Sequence, residues 1–339
     1  MLFDLNQEGT TIIFISHKLN EVMQISEKIS VLRDGRLIAT VNTKETTPRE
    51  LCKLMVGRDV MGEYEKGVST VGDEVLRIEE VNLAGHQNHD RHVLKNVSLR
   101  VCAGEIVGIA GVDENGQKEL AEIIASLRKP TSGHITMFGR DVTGATTREL
   151  IEMGMSYIPA DRRGQGLVLN FSVADNTILE THYQEPFTRG IALQKSVITK
   201  FASELVQEYD VRTPNVGVMA KNLSGGNQQK LIIGREFSKE TRFLLVMQPT
   251  WGLDVGAIEY VHNKLLEARD NGVAVLLIST DLEEIRKLSD RILVIYEGAE
   301  LLIMDEPTSV LTPQETQELF KMLFDLNQEG TTIIFISHK

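Results

Sequence analysis

The sequence predicts an α/β fold built on a mostly parallel sheet, and three features carry that expectation. Short apolar runs of strand length recur along the chain at Thr11–Ile15, Ile106–Ala110, Phe243–Met247, Val273–Ile278, Leu301–Met304 and Thr332–Ile336. Most lack period-2 alternation, as expected of parallel strands covered on both faces. Helical patterns lie between them, at Lys118–Ser126, Ser196–Tyr209, Asn227–Phe237, Ala257–Asp270, Leu282–Lys287 and Pro313–Leu326. Strand–helix alternation of this kind implies a layered sheet with helices on its faces. Two further segments read as antiparallel hairpins, Ile29–Val41 around Asp34-Gly35 and Ile292–Leu302 around Glu297-Gly298.

The 339 residues suffice for about two domains of roughly 150 each. Hydrophobic content of 42% and charged content of 25% are those of an ordinary soluble globular protein. A net charge of −12 argues against nonspecific nucleic-acid binding, which needs a basic face. Cys52 and Cys102 lie far apart and read as reduced thiols. No apolar run approaches the roughly 20 residues of a membrane helix. Asp4 and Glu8 interrupt the N-terminus, which reads against a signal peptide. Any membrane role is expected to come through a partner.

The ends carry an unusual feature. Met1–Lys18 (MLFDLNQEGTTIIFISHK) returns unchanged as Met322–Lys339. One native sheet has a single place for such a strand. The C-terminal block reads on naturally into Leu19 and the residues beyond it, so the parts read as permuted, with overlapping ends. A terminal duplication is the alternative. The expected divisions are Met1–Val60, a polar linker Met61–Gly72, Asp73–Gly298, and Ala299–Lys339, the last completing the first.

Four motifs carry chemistry. Leu223-Ser224-Gly225-Gly226-Asn227-Gln228-Gln229-Lys230 (LSGGNQQK) opens a helix, where glycines and the helix dipole suit an anion. LLIMDEPT (Leu301–Thr308) is a strand ending in Asp305 and Glu306, the edge where ligands sit in such sheets. Ser16-His17 and Ser337-His338 end two apolar runs. Gly108–Leu120 (GIAGVDENGQKEL) lies between strand and helix, the context of a phosphate-binding loop.

Together these motifs resemble ABC-transporter ATPases, in the variant with two fused nucleotide-binding domains that serves sugar and nucleoside import. The resemblance implies an ABC-type P-loop NTPase fold with a mostly parallel sheet, an antiparallel β subdomain and a helical subdomain bearing the signature Leu223–Gln229. It implies ATP and Mg²⁺ as ligands, Asp305 as the acid holding Mg²⁺ through water, Glu306 as the base polarising the attacking water, and His17 or His338 as the switch histidine. Membrane permease subunits, and through them an extracytoplasmic solute-binding protein, are the implied partners, at the cytoplasmic face of the membrane. A homodimer through ABC domains is a further implication.

The match also departs from the family pattern. In the loop that would bind nucleotide through Gly111, Asp113, Asn115, Gly116, Gln117, Lys118 and Glu119, Gln117 stands at the lysine position. Lys118 and Glu119 replace the Ser/Thr pair, and Glu114 replaces a glycine. In FLLVMQPTWGLD, Met247 stands for the Mg²⁺-binding acid and Gln248 for the catalytic glutamate. Thr280 stands for the switch histidine. Losing one electrostatic contact of this kind costs about 10²–10³ in rate. The pattern resembles the degenerate second domain of the fused importers, which donates its signature to the other half. Trp251 falls in the segment matching the D-loop and is expected to have no catalytic role. Tyr157–Asn176 (YIPADRRGQGLVLNFSVADN) resembles the segment that faces the permease, with Ala160 where glutamate is usual. LMVGRDV (Leu54–Val60) resembles the segment closing the first domain. Leu311–Glu315 with Glu185-Pro186-Phe187 leans toward the nucleoside branch. An intact loop lysine, an adenine-stacking loop and a first-domain signature are absent from the sequence. The competing expectation is therefore a non-catalytic binding module. His86, His89 and His92 read as a solvent-facing turn, with metal binding or adenine contact as rival readings. Asp281, Glu283 and Glu284 read as a solvated first helical turn.

Overall fold

The computed structural model describes residues 10–16, 19–33, 35–57, 66–67, 70–85, 92–111, 115–296, 299–305 and 332–336, with the backbone alone at Asn20, Val56, His92, Tyr296, 299–305 and 332–336. The chain forms two compact units, Met1–Glu65 with Gly252–Asn263, and Lys66–Trp251 with Lys264–Lys339.

In the first unit, helix α1 (Leu19–Ile25) precedes a hairpin of β1 (Lys28–Arg33) and β2 (Arg36–Asn42), then helix α2 (Pro48–Val56). The hairpin is antiparallel, as expected around Gly35, with Ile29 opposite Val41. Thr47 opens α2 with a reciprocal cap. Its hydroxyl accepts the Glu50 N–H and the Glu50 carboxylate accepts the Thr47 N–H, satisfying donors the helix itself leaves orphaned. Val22, Ile29, Val31 and Leu51 form a small core on which Phe14 packs. The expected strand Thr11–Ile15 does not form. Those residues have no ladder partner, and Ile13 and Ile15 stand 88% and 93% exposed.

The second unit is built on an eleven-stranded sheet. Its elements in chain order are β3 (Glu74–Ala84), β4 (His92–Cys102), β5 (Ile106–Ala110), α3 (Gln117–Ile124), β6 (Ser132–Met137), β7 (Arg140–Asp141), α4 (Thr147–Glu152) and β8 (Met155–Ile158). After these come α5 (Val173–Thr177), a small hairpin of β9 (Thr188–Arg189) and β10 (Ala192–Leu193), α6 (Lys195–Glu208), α7 (Gly225–Phe237), β11 (Phe243–Met247) and α8 (Val255–Asp270), whose residues up to Asn263 belong to the first unit. The last are β12 (Ala274–Ser279), α9 (Leu282–Leu288), β13 (Arg291–Tyr296), β14 (Ala299–Asp305) and β15 (Thr332–Ile336). Strands β8, β11, β12, β5 and β13 run parallel in that order. Strands β4, β3, β6 and β7 form an antiparallel flank. The expected second hairpin is present as β13 and β14, with Leu293 opposite Leu302. Beyond it, β15 pairs parallel to β14. The expected helix Pro313–Leu326 lies outside the described residues.

The absence of alternation has its cause in burial. Phe243, Leu244, Leu245 and Val246 are all fully buried, as are Ala274 to Leu277. Helix α3 lays Leu120, Ala121, Ile123 and Ile124 onto the same core as β3, β4 and β5. Gly108 in β5 is required by close approach. A Cβ there would lie 2.0 Å from Ser289 Oγ, 2.9 Å from Ser289 Cβ and 3.0 Å from Ile285 Cγ2, because α9 and the residue after it seat directly on the strand. Gly108→Ala is therefore expected to destabilise the chain by about 1–3 kcal/mol. Thermal unfolding would read this, and an unchanged midpoint would mean that α9 does not seat there.

Candidate functional site

The phosphate-loop candidate joins the C-terminal end of β5 to α3. Gly116 caps α3 in the left-handed region, at φ 97°, which favours glycine. Gln117 is buried and folds back into the loop. Its Oε1 accepts the Asn115 N–H at 3.1 Å. Its Nε2 lies so near Gly111 that a Cβ on that residue would come within 2.3 Å of it and 2.8 Å of Ile295 O. Gly111 must be glycine because the loop closes around Gln117. A neutral amide thus sits where charge complementarity to a phosphate would be wanted. Lys118 does not replace it. Its side chain is 65% exposed and lies 3.9 Å from Glu122, on the outer face of α3. Glu119 is half-buried. Asp113 and Glu114 lie outside the described residues.

At the end of β11 the chain turns through Gln248, whose φ of 48° is uncommon for a residue with a Cβ. Its N–H donates to Ile278 O at 2.8 Å. Its Oε1 accepts the Thr280 N–H at 3.3 Å and the Thr280 hydroxyl at 3.2 Å. The structure therefore brings together two residues, 32 apart in sequence, that the sequence reading matched to the glutamate and histidine positions of the family pattern. Both are neutral, and they bond to each other. Met247 beside them is half-buried and offers a thioether, which is a poor ligand for a hard cation that prefers oxygen. Among the described residues no group of three or more His, Cys, Asp or Glu could hold a metal ion. Met247, Gln248 and Thr280 do not fit Mg²⁺. Asp305 ends β14, its carboxylate outside the described atoms. Glu306, His17 and His338 lie outside the described residues, as do His86 and His89.

The turn at Ser224–Gly226, the signature candidate, is well formed. Ser224 caps α7, its Oγ accepting the Asn227 N–H at 3.4 Å and the Asn227 Nδ2–H at 3.0 Å. Asn227 Oδ1 accepts the Arg212 N–H at 2.8 Å. Gln228 is buried and donates to Ala220 O at 3.1 Å. Leu223 and Gln229 are buried as well. One turn on, Lys230 bonds the Asp210 carboxylate at 2.5 Å and holds that carboxyl below its usual range. This leaves Ser224, Gly225 and Gly226 as a capped helix start with a fixed shape.

Sequence reasoning missed a buried ion cluster behind that turn. Glu236 on α7 is fully buried. Its Oε1 accepts Arg235 Nε at 2.8 Å, and its Oε2 accepts Lys239 Nζ at 2.6 Å and the Tyr157 N–H of β8 at 3.2 Å. Arg235 also donates to Gly166 O at 2.8 Å, and Lys239 bonds Glu180. Burial alone would raise the Glu236 carboxyl, but the Lys239 and Arg235 charges outweigh it and hold the group at about 2. The only available signal was three charges at helical spacing, Arg235, Glu236 and Lys239, which reads equally well as a solvated face. The cluster ties α7 to the segment Arg162–Gly166, one wide helical turn capped by Asp161. Asn176, fully buried, fixes the next loop by bonding Val168 through both backbone groups, at 2.9 and 3.0 Å. That loop exposes Val168 and Phe171. Arg162 donates to Trp251 O at 2.6 Å, and the Trp251 side chain is exposed. Asp281 is no bystander in its acidic group. It caps α9 through the Glu283 and Glu284 N–H groups, and Glu284 is buried rather than solvated.

Residues 94–250 match the ABC transporter family model. The chain is 47% identical over 315 residues to the guanosine import ATP-binding protein NupO of Bacillus subtilis (strain 168), covering 93% of this chain and 60% of that protein. It is 45% identical to the nucleoside import ATP-binding protein NupA of Lactococcus lactis subsp. cremoris (strain MG1363), over 87% of this chain and 58% of that one. The glucose import ATP-binding protein TsgD13 of Haloferax volcanii is 43% identical, with 88% and 55% covered. The chain thus spans about three-fifths of the length of the curated relatives it matches. In fold it matches the ATP-binding cassette MJ0796, solved as a dimer in a post-hydrolysis state bound to ADP and Pi, with a TM-score of 0.57 and 23% identity. That match covers 66% of this chain and 95% of the cassette. A nucleotide-free cassette from an ABC transporter matches equally, at 0.57 and 21%, over 68% of this chain and 90% of that one. The fold is that of an ATP-binding cassette, as the sequence implied.

Proposed function

We propose that this chain belongs to the ABC transporter family as part of the ATP-binding subunit of an importer for nucleosides or simple sugars. Its cassette Asp73–Gly298 is the half that offers its signature and does not itself hydrolyse ATP. What supports this is the pairing of a rigid Ser224-Gly225-Gly226 turn with a neutral Gln248–Thr280 bond in place of acid and histidine. Without a carboxylate at 248, no described group is positioned to polarise an attacking water. With Gln117 turned into the loop, phosphate binding rests on backbone N–H groups and the dipole of α3.

The same reading extends to the rest of the subunit. Asp305 and Glu306 with His17 or His338 would be the Mg²⁺-holding and hydrolytic set of the other half, and Ala299–Lys339 would complete Met1–Val60 in permuted order. The names of the relatives at 47% and 45% identity favour nucleosides as the solute class. Membrane permease subunits would dock on the loop that exposes Val168 and Phe171, at the cytoplasmic face, with an extracytoplasmic solute-binding protein delivering solute. Among the described residues no helix is long and apolar enough to cross a membrane.

The test is a Mg²⁺–ATP titration with phosphate release measured on the purified chain. The expected result is weak binding with release at background. Steady turnover that survives Glu306→Gln would overturn the non-hydrolysing assignment of Asp73–Gly298.

A further inference from the structure

Arg162 opens the turn Arg162–Gly166 and is half-buried. The adjacent Asp161 carboxylate faces its own turn, accepting the Arg163 N–H at 3.1 Å and the Gly164 N–H at 2.9 Å. Among the described residues the Arg162 guanidinium makes one hydrogen bond, to Trp251 O, 89 positions away, at 2.6 Å. That carbonyl ends the turn Gln248–Trp251, which the Trp251 N–H closes on Gln248 O at 3.2 Å. The turn is strained at Gln248, and a residue in that backbone region persists only where its surroundings hold it. On one side it is held by the bonds of Gln248 to Ile278 and Thr280. On the other side it is held by Arg162. The Arg162–Gly166 turn is itself fixed to α7. Arg235 donates to Gly166 O at 2.8 Å, and a Cβ on Gly166 would lie 2.6 Å from Ile232 Cδ1.

We propose that Arg162 is a positioning residue, a latch that couples α7 to the Gln248–Thr280 pair through the Trp251 carbonyl. On each side of the latch the chain is tied by several bonds. α7 has the buried Glu236 cluster, and β11 lies in the ladder between β8 and β12. Between them stands one half-buried bond from a charged donor. A charge-assisted bond is strong enough to fix a turn. Being single, it can also break and re-form without unfolding either side. While it is made, a shift of α7 reaches Gln248 through Gly166, Arg162 and Trp251. Once it is broken, the shift stops at Arg162 and the strained turn relaxes. This inference needs neither nucleotide nor the importer assignment.

The experiment compares the full chain with Arg162→Ala and Arg162→Lys, without nucleotide. Trp251 is the one tryptophan, so intrinsic fluorescence reports this turn alone. Arg162→Ala is expected to lower the Trp251 fluorescence anisotropy. It is also expected to speed amide exchange at Thr280, whose N–H rests on Gln248, by at least about threefold, as local opening becomes easier. Leu277, buried in the same strand, is expected to keep its exchange rate, which separates loss of the latch from general loosening. Arg162→Lys keeps one charged donor, and one donor is all that the bond uses, so it is expected to restore both readouts. Unchanged anisotropy or unchanged Thr280 exchange in Arg162→Ala would overturn the proposal. So would an equal quickening at Leu277, or a lysine variant no better than alanine. Failure of the importer reading would leave all of these outcomes unchanged.

Discussion

Replacing Glu236 with glutamine will lower the stability of the cassette by about 3–5 kcal/mol, the usual cost of removing one member of a buried ion cluster. The substitution keeps volume and shape, so packing does not account for the loss. It leaves Arg235 and Lys239 facing Glu180 alone, and Arg235 reaches Glu180 only at 3.8 Å. The amide also turns an NH₂ group toward one of the two cations, Arg235 or Lys239, which the two carboxylate oxygens now share. The pH dependence gives a second readout. The folded-state value of Glu236 is about 2, below the roughly 4.3 of an unfolded glutamate, so between those values the unfolded chain binds more protons. Its contribution is complete above the unfolded value and is lost as pH falls through about 2. Glu180 runs the other way. Burial and the nearby Glu236 raise it, so its contribution is present at low pH and is lost as pH rises through its folded value. Urea midpoints followed by circular dichroism should therefore fall on acidification below about pH 4 in the wild type and flatten there in Glu236→Gln. Equal midpoints for the two proteins at neutral pH would show that the cluster adds nothing.

Arg269→Ala will have the next largest effect, roughly 3 kcal/mol. Arg269 is almost wholly buried at the end of α8. It bonds Asp290 at 2.8 Å, Asp270 at 2.7 Å and Gly67 O at 2.8 Å. Asp290 in turn accepts the Ile106 N–H that opens β5, at 2.8 Å. One guanidinium therefore ties the end of the linker to the strand that leads into the phosphate loop. Lys66 adds a bond to Ser289 O at 2.6 Å. Removing Arg269 should lower the urea midpoint and also quicken tryptic cleavage after Lys66 by about tenfold, as local opening becomes easier. A lowered midpoint with unchanged cleavage at Lys66 would mean that the arginine holds the two aspartates but not the linker.

Much of the fold was legible because burial in a parallel sheet writes a plain pattern. Phe243–Met247 and Thr332–Ile336 have the bounds that their apolar runs suggested. Helix starts were less legible. α7 begins at Gly225, two residues before the expected Asn227, because Ser224 supplies the cap and glycines can occupy a capped first turn. The chemistry-bearing positions Gln117, Gln248 and Thr280 could be placed from motif spacing alone. Their bonds could not, since the Gln248–Thr280 contact depends on how β11 and β12 pair. The ion cluster at Glu236 was not legible at all. Charges at helical spacing become buried only when β8 and the Arg162–Gly166 turn cover them.

The sequence by itself determined the layered α/β class, the glycine turn that opens α7 and the neutral chemistry of Gln117, Met247, Gln248 and Thr280, because each depends on local pattern and residue chemistry. Which segment becomes a strand was left to tertiary structure. Thr11–Ile15 and Thr332–Ile336 are the same five residues, yet only the second is in the sheet. A helix closes its hydrogen bonds within its own segment, whereas a strand needs a neighbour to receive them. The sequence can therefore confer the capacity to be a strand, while only the position of β14 decides which copy becomes one.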